Sequence, residues 1–350
     1  MESQTTDNLR GEVAFRKLLA RQHVTGEMLL SDYFCKEEHD GILRERVATT
    51  IRDIEKLGEQ GVRLSPFLEL GAERCHRSLV LTNDFGADGI AIDISHDQLK
   101  TAGHFSELLG RPRLPLRVCC DVNHLPIRDS SVPFAFCYEF LHHFPAVKPV
   151  LDQVYRILSQ GIFFFNEEPF KRPRMTLYRQ QHKMYSKHSL RRSKLVRALE
   201  SFIADPWSDE LEHGIIENDR ISVREWLDAL AIFDSKSVML ASVGGRMASR
   251  LTDRIRIANR LNILLGGGIS GTCTKNRPDI SCVPKQLTDL LLCPNCLATG
   301  SGRIDAPLPL NQLADSFLCP VCDSAYPVVD GVVLLLRTGL FRELYPEYAP

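Results

Sequence analysis

Two sets of residues have types and spacing that do chemistry. The first is Cys293, Cys296, Cys319 and Cys322, in the pattern C-x2-C-x22-C-x2-C. Two such pairs present four thiolates as a tetrahedron around one ion. A closed four-sulfur site leaves no position for a catalytic water, so the expected chemistry is structural zinc binding. The second set is acidic and closes apolar runs: Glu69 lies just before Gly71, Asp93 ends the run from Gly89, Asp121 follows Cys120, and Glu139 follows Tyr138. An acid at a strand end, near a glycine that lets backbone approach a ligand, suits a ribose diol, because one carboxylate accepts from both hydroxyls.

Parallel strands must position those acids. From Leu64 onward short apolar runs alternate with helical stretches. The pattern predicts strands over Leu64–Leu70, Gly89–Asp93, Leu116–Asp121, Phe134–Tyr138 and Ile162–Asn166, and helices over Arg77–Phe85, Asp97–Leu108 and Val147–Leu158. Such alternation implies right-handed crossovers, hence an α/β fold with a doubly wound, mostly parallel seven-stranded sheet. A helix around Trp226, Leu227, Leu230 and Ile232, strands over Lys236–Ser242 and Gly268–Thr274, and one helix over Arg246–Leu265 complete it. Phe15, Leu18 and Leu19, and then Ile42, Val47, Ile51, Ile54 and Leu57, mark amphipathic cap helices. The expected division is cap helices in 1–60, the main domain in 61–276 with an insertion over 169–233, a linker at Arg277–Pro284 and a zinc-ribbon module in 285–340.

The ligand follows from what surrounds Gly71. No G-x-G-x-x-G cradle for a pyrophosphate is present, since Ala72, Glu73, Arg74 and Cys75 come next. The Glu73 carboxylate is expected to repel a diphosphate, whereas S-adenosylmethionine, cationic at sulfur, is compatible with it.

The stretch Cys120 to Phe144 contains Asp121, Leu125-Pro126, Asp129-Ser130-Ser131 and Leu141-His142-His143. It resembles the D-x-x-x-LPF-x-D-x-SFD and following LHH of class I S-adenosylmethionine-dependent methyltransferases of the ubiquinone-pathway type. The resemblance covers Leu64 to Asn166. It implies that Glu69 and Gly71, with Ala72 and Glu73, form the turn beside the methionine part of the cofactor. It further implies that Asp93, with Ile94, holds the ribose, that Asp121 binds the adenine amino group with Val122 beside it, and that Glu139 faces the cofactor. Glu73 and Cys75 replace later glycines of the family, and Leu158-Ser159-Gln160-Gly161 is one residue shorter than the family's L-K-P-G-G turn.

Methyl transfer from a sulfonium is an in-line displacement that needs alignment and exclusion of water, and a hydroxyl acceptor also needs a base. His143, Glu167 and Glu168 are the catalytic candidates, with His142 expected to pack beneath the cofactor. Residues 169–198 hold ten cations and no acid. They offer a site for a phosphate-bearing small molecule, the favoured acceptor class, or for RNA. An RNA or protein methyltransferase and a non-catalytic binding protein are the alternatives.

Lys and Arg total 43 against 44 Asp and Glu, so net charge draws the chain to neither nucleic acid nor membrane. No apolar stretch is long enough for a membrane span. Eleven cysteines, an odd number, fit reduced thiols better than a disulfide framework, and with no secretory signal in view the expected compartment is the cytoplasm. The last module, Leu287 to Leu336, resembles the small zinc-ribbon proteins that activate tRNA, ribosomal RNA and release-factor methyltransferases as separate subunits. The resemblance implies a fusion in cis. Its knuckles lack the helical insertion those activators often carry between them.

Overall fold

A computed structural model describes residues 2–27, 29, 36–171, 178–181, 204–207, 214–216, 218, 220–242, 248–251, 257–265, 267–276, 285–299 and 308–348. Most of the 169–198 basic segment lies outside the described residues, as does the linker 277–284.

Five strands form a parallel block: β1 (Phe67–Leu70), β2 (Gly89–Asp93), β3 (Leu116–Cys119), β4 (Val132–Tyr138) and β5 (Leu158–Pro169), in the order β3-β2-β1-β4-β5. β1, β2 and β4 are buried at every residue, which explains why they read as near-continuous apolar runs rather than alternating ones. Helix α3 (His76–Asp84) crosses from β1 to β2, and α4 (His96–Lys100) and α5 (Ala102–Leu109) cross from β2 to β3. The single helix expected over 97–108 is therefore two, parted at Thr101, whose hydroxyl and amide both turn back to the Gln98 carbonyl. Helix α6 (Lys148–Ile157) buries Val150, Leu151, Val154 and Ile157 against the sheet.

A short two-stranded ribbon pairs β6 (Tyr178–Gln181) with β7 (Ala204–Trp207), and the main sheet then resumes. β8 (Ser235–Ser242) pairs antiparallel with β10 (Gly267–Lys275), which pairs antiparallel with β5. β9 (Ala248–Leu251) is a strand on the outer side of β8, so the helix expected over Arg246–Leu265 is confined to Ile257–Leu265. Ser249 and Asn262 explain part of this: the Asn262 side-chain amide donates to the Ser249 hydroxyl and to the Leu240 carbonyl, tying helix to strands.

The short turn at Leu158–Gly161 is absorbed without a loop, because β5 begins at Leu158 and the register with β4 shifts between Val132 and Phe134. Gly161 is required there, since a Cβ on it would lie 2.0 Å from the Pro133 carbonyl oxygen.

Among the described residues the sheet has twelve strands, not seven. β11 (Asn311–Gln312), β12 (Ser316–Leu318), β13 (Ala325–Val329) and β14 (Val332–Leu334) come from the C-terminal module, and β14 lies parallel to β3. Apolar burial accounts for this continuity. Leu290, Leu291, Cys293, Phe317, Cys319 and Tyr326 share one buried cluster with Val118, Ile127 and Val154. Leu291 also pairs with Ile127, and the Leu292 amide donates to the Pro126 carbonyl at 2.9 Å. The edge of β3 would otherwise expose unpaired backbone groups, and the module covers it.

Helix α1 (Glu2–Thr25) packs on α4, and α2 (Lys36–Glu59) packs on α3. Leu43 joins Leu79 and Phe105, and Ile54 and Leu57 join Phe67, Phe134 and Phe136. Among the described residues no helix is long and apolar enough to cross a membrane.

Candidate functional site

The β1 turn positions the first acids. Gly71 adopts φ +67°, and a Cβ on it would meet the Phe140 ring at 2.2 Å, so only glycine fits between that turn and the loop after β4. Glu73 and Cys75, which stand where the family has glycine, keep a left-handed backbone at φ 46° and 62°. The glycine path is thus retained at a strain of roughly 1–2 kcal/mol per residue. Glu139 and Glu167 are left-handed as well, at φ 47° and 62°. Four such non-glycine residues at neighbouring strand ends are the pattern strained backbone takes at functional sites.

Glu69 is buried beneath the turn, where its carboxylate accepts from the Ser78 amide at 3.0 Å and from the Ser78 hydroxyl. It thereby satisfies a donor in the first turn of α3. Burial pushes its carboxyl up to about 7, against the opposing pull of Arg77.

Asp93 sits at the end of β2. One carboxylate oxygen accepts from the Ser95 amide at 2.8 Å and the other from the Glu73 amide at 2.9 Å, so the β1 turn and the β2 end are held together through it. Each oxygen keeps a second lone pair for a ligand. Burial pushes this carboxyl up to about 6. The next strand end adds Asp121, whose oxygens accept from the Asn123 amide at 2.9 Å and face the His124 ring at 3.1 Å, with Val122 buried beside it. Burial works against its charge, but His124 and Asn123 outweigh that and hold the carboxyl below its ordinary value.

Glu73 does not present a bare negative charge. Arg16 of α1 lies 3.1 Å from one oxygen, and Arg46 of α2 and Arg74 each lie 3.5 Å from the other. Burial disfavours its ionisation, yet Arg74, Arg46 and Arg16 hold its carboxyl well below the usual range. Repulsion of a diphosphate by Glu73 is therefore not a property of the folded site, and only the missing glycines of the turn argue against a dinucleotide. Arg46 also reaches Glu139 at 2.8 Å, bridging the ends of β1 and β4 across the mouth. Asp53 of α2 accepts from Tyr138 at 3.2 Å and Asn166 at 2.9 Å.

Sequence reading missed Arg16, Arg46 and Asp53 as site residues. A signal was available, because Arg16 falls three residues after Val13 and three before Leu19, and Arg46 falls three after Leu43 and four before Thr50. Both are charged residues on the buried stripe of an amphipathic helix.

Among the catalytic candidates, Glu168 is fully buried and committed. It accepts from the amides of Phe140 at 2.8 Å, Leu141 at 3.0 Å and His142 at 3.2 Å, and from His142 Nδ1 at 2.9 Å. It orders the turn Leu141–His143 and has no surface to offer an acceptor. Burial opposes its charge, but His142 and the backbone amides prevail and keep its carboxyl below 4.5. Its stabilisation is then complete above the ordinary carboxylate range and is lost as pH falls through the depressed value. Glu168→Ala leaves buried amides without an acceptor and is expected to cost roughly 3 kcal/mol at neutral pH. Urea unfolding checks this, with the gap from the parent shrinking below pH 4.5; a gap independent of pH contradicts it.

His143 is half-buried, its ring 4.3 Å from that of His142, and its Nδ1 donates to the Ile216 carbonyl at 3.1 Å. That bond places the proton on Nδ1 and leaves the neutral ring's lone pair on Nε2. Glu167 is exposed as a residue at the end of β5, yet its carboxyl end lies close enough to protein that partial desolvation, and after it the Glu139 charge, raises its value.

The four cysteine sulfurs lie within 4.8 Å of one another, with Cys293–Cys322 at 3.5 Å and Cys296–Cys319 at 3.7 Å. A zinc–sulfur bond of about 2.3 Å sets a tetrahedral edge of about 3.8 Å. The Cys296 amide points to Cys293 Sγ and the Val321 amide to Cys319 Sγ, both at 3.4 Å, as suits thiolate ligands. The donor set fits zinc.

Comparison with known proteins bears on the strand-end site. Residues 68–165 match the methyltransferase domain family. The sterol methyltransferase-like 1 protein of Botryococcus braunii is 29% identical over 97 residues, which are 28% of this chain and 25% of that relative's length. Among solved structures, an S-adenosylmethionine-dependent methyltransferase from Thermotoga maritima covers 74% of this chain and 99% of its own, at 14% identity and a TM-score of 0.41. Geranyl diphosphate C-methyltransferase from Streptomyces coelicolor A3(2) covers 65% and 75%, at 12% identity and 0.39. A chain of the complex between the Haloferax volcanii Trm112 methyltransferase activator and a methyltransferase covers 69% and 95%, at 16% identity and 0.38. Over residues 68–165 the chain is thus similar to the methyltransferase domain family, and the match supports an S-adenosylmethionine-dependent methyltransferase.

Proposed function

We propose that the chain methylates a small-molecule acceptor, a phosphate-bearing saccharide or another biosynthetic intermediate, at oxygen or nitrogen. The observation that carries this reading is the set of acids Asp93, Asp121 and Glu139 at three strand ends, beside the left-handed Gly71 turn, inside the stretch that matches the methyltransferase domain. Two buried polar groups beside the turn support a ligand there: the His76 ring nitrogens and Arg77 Nε have no hydrogen-bond partner among the described residues.

When bound, S-adenosylmethionine supplies a methyl group on a cationic sulfur. Glu69, Gly71, Ala72 and Glu73 shape the turn that takes its amino-acid part. Asp93, with Ile94, accepts from the ribose hydroxyls, Asp121 accepts from the adenine amino group, Val122 packs on the ring and Glu139 faces the ligand from β4. Arg16 and Arg46 close the cap helices over the turn and exclude water. His143 takes the acceptor's proton at Nε2, and Glu167 is a second acceptor for it; Glu168 holds the His142-His143 turn in place. Cys293, Cys296, Cys319 and Cys322 hold a structural zinc ion. Reduced thiols arranged as ligands fit a reducing compartment, and we place the chain in the cytoplasm.

The test is incubation of the full chain with cofactor labelled at the methyl group and with three separate pools: small metabolites, RNA and protein. Label in the metabolite fraction is expected. Label in RNA or protein instead replaces the proposed acceptor class, and cofactor binding without label in any pool identifies a non-catalytic binding protein.

A further inference from the structure

The C-terminal module does more than cover the edge of β3. After β14 the chain enters a helix, Thr338–Leu344, and ends it at Tyr345, which is 2% exposed. The Tyr345 hydroxyl donates to the Ile94 carbonyl at 2.7 Å and accepts from the His96 amide at 2.9 Å. The Ile94 carbonyl belongs to the same peptide unit as the Ser95 amide, and that amide donates to Asp93 at 2.8 Å. One planar peptide is therefore held from both sides, by Tyr345 on its oxygen and by Asp93 on its nitrogen. Hydrogen bonds in such a series polarise one another. The Cys119 thiol donates to the same carbonyl at 3.1 Å, and the His96 ring lies edge-on to Tyr345 at 6.2 Å and to Tyr348 at 5.3 Å.

The other end of this helix is fixed by the cysteine site. Asn295, between Cys293 and Cys296, accepts from the Thr338 amide at 3.0 Å and donates to the Thr338 hydroxyl at 2.8 Å. It thus satisfies an amide that the helix start leaves unpaired. A continuous series of bonded groups runs from the first cysteine knuckle through Asn295, the helix and Tyr345 to the Ile94–Ser95 peptide and Asp93.

We infer that Tyr345 is a positioning residue for the cofactor site, aiming the Asp93 carboxylate at the ribose through the Ile94–Ser95 peptide, so that the four-cysteine module supplies part of that site. This rests on the reading of Asp93 as the ribose ligand. Tyr345 itself touches no ligand and acts only through the peptide.

The test uses the full, zinc-replete chain in four forms: parent, Tyr345→Phe, Asp93→Asn and the double variant. S-adenosylhomocysteine affinity is read by calorimetry, alongside the unfolding midpoint and hydrogen exchange at the Ser95 amide. Phenylalanine keeps the packed ring and removes only the hydroxyl. Tyr345→Phe is expected to weaken affinity about tenfold, to speed Ser95 exchange and to shift the midpoint by only a few degrees. In the Asp93→Asn background it is expected to cost less than about twofold, because the carboxylate it aims is gone. Unchanged affinity in Tyr345→Phe, or an equal loss in both backgrounds, overturns the inference while the ribose reading stands. Absence of binding by the parent, or full affinity in Asp93→Asn, overturns both.

Discussion

Cys319→Ser, or removal of the metal by a chelator, is expected to destabilise the whole sheet and not only the ribbon. Cys319 belongs to the buried cluster that includes Val118 of β3 and Ile127, and the Leu335 amide donates to the Cys119 carbonyl at 2.8 Å. With the proposed zinc ion bound to the four thiolates, its removal costs the module a binding free energy of the order of 10 kcal/mol, more than so small a core replaces. β14 then leaves β3, and the exposed edge is left without partners. The main thermal transition should fall by roughly 10 °C or more, on a scale of about 2–4 °C per kcal/mol for a domain of this size. Differential scanning calorimetry with and without chelator checks this. A main transition that stays in place, with only a small separate one lost, would show that ribbon and sheet fold independently.

Asp93→Ala carries the second large effect. The carboxylate joins two backbone amides and, in the proposed site, both ribose hydroxyls. Charge-assisted bonds are worth about 1.5–3 kcal/mol each, so loss of affinity for S-adenosylhomocysteine by at least ~100-fold is expected. A pH signature accompanies it. Burial raises this carboxyl to about 6, so it is neutral, and a weaker acceptor, below that value. Affinity in the parent should therefore fall as pH drops through 6, by up to about tenfold per unit, while Asp93→Asn stays flat. Equal pH dependence in both proteins would assign the titration to another group.

Much of the architecture was legible because burial on both faces leaves a clear mark: Phe67–Leu70, Gly89–Asp93 and Val132–Tyr138 are buried at every residue and apolar except at Glu69 and Asp93. The acids at their ends stand out for the same reason. What could not be read was long-range pairing. Val332-Val333-Leu334 carries no sign of which edge it joins, and the packing that goes with the pairing, Leu290 and Leu291 with Ile127 and Val332 and Leu334 with Ala91 and Cys119, joins residues far apart in the chain. Ala248–Leu251 read as helix because Arg246, Arg250 and Arg254 recur at four-residue steps, as on a solvated helical face, whereas pairing with β8 settles it as strand. At the site, the departures at Glu73 and Cys75 looked like lost glycines. The backbone shows that the turn survives, and that the charge on Glu73 is met by arginines sent from 27 and 57 residues earlier in the chain. Glu168 looked like a base because it follows a strand, but local sequence cannot show that three amides converge on it.

The most direct test of the central claim is titration of the purified full chain with S-adenosylmethionine by calorimetry at pH 7.5–8, well above the value of about 6 at which Asp93 gains a proton. Saturable binding of one equivalent at micromolar cofactor is expected, weakened about 100-fold or more by Asp93→Ala. Absence of heat at millimolar cofactor, or binding indifferent to Asp93→Ala, would contradict it.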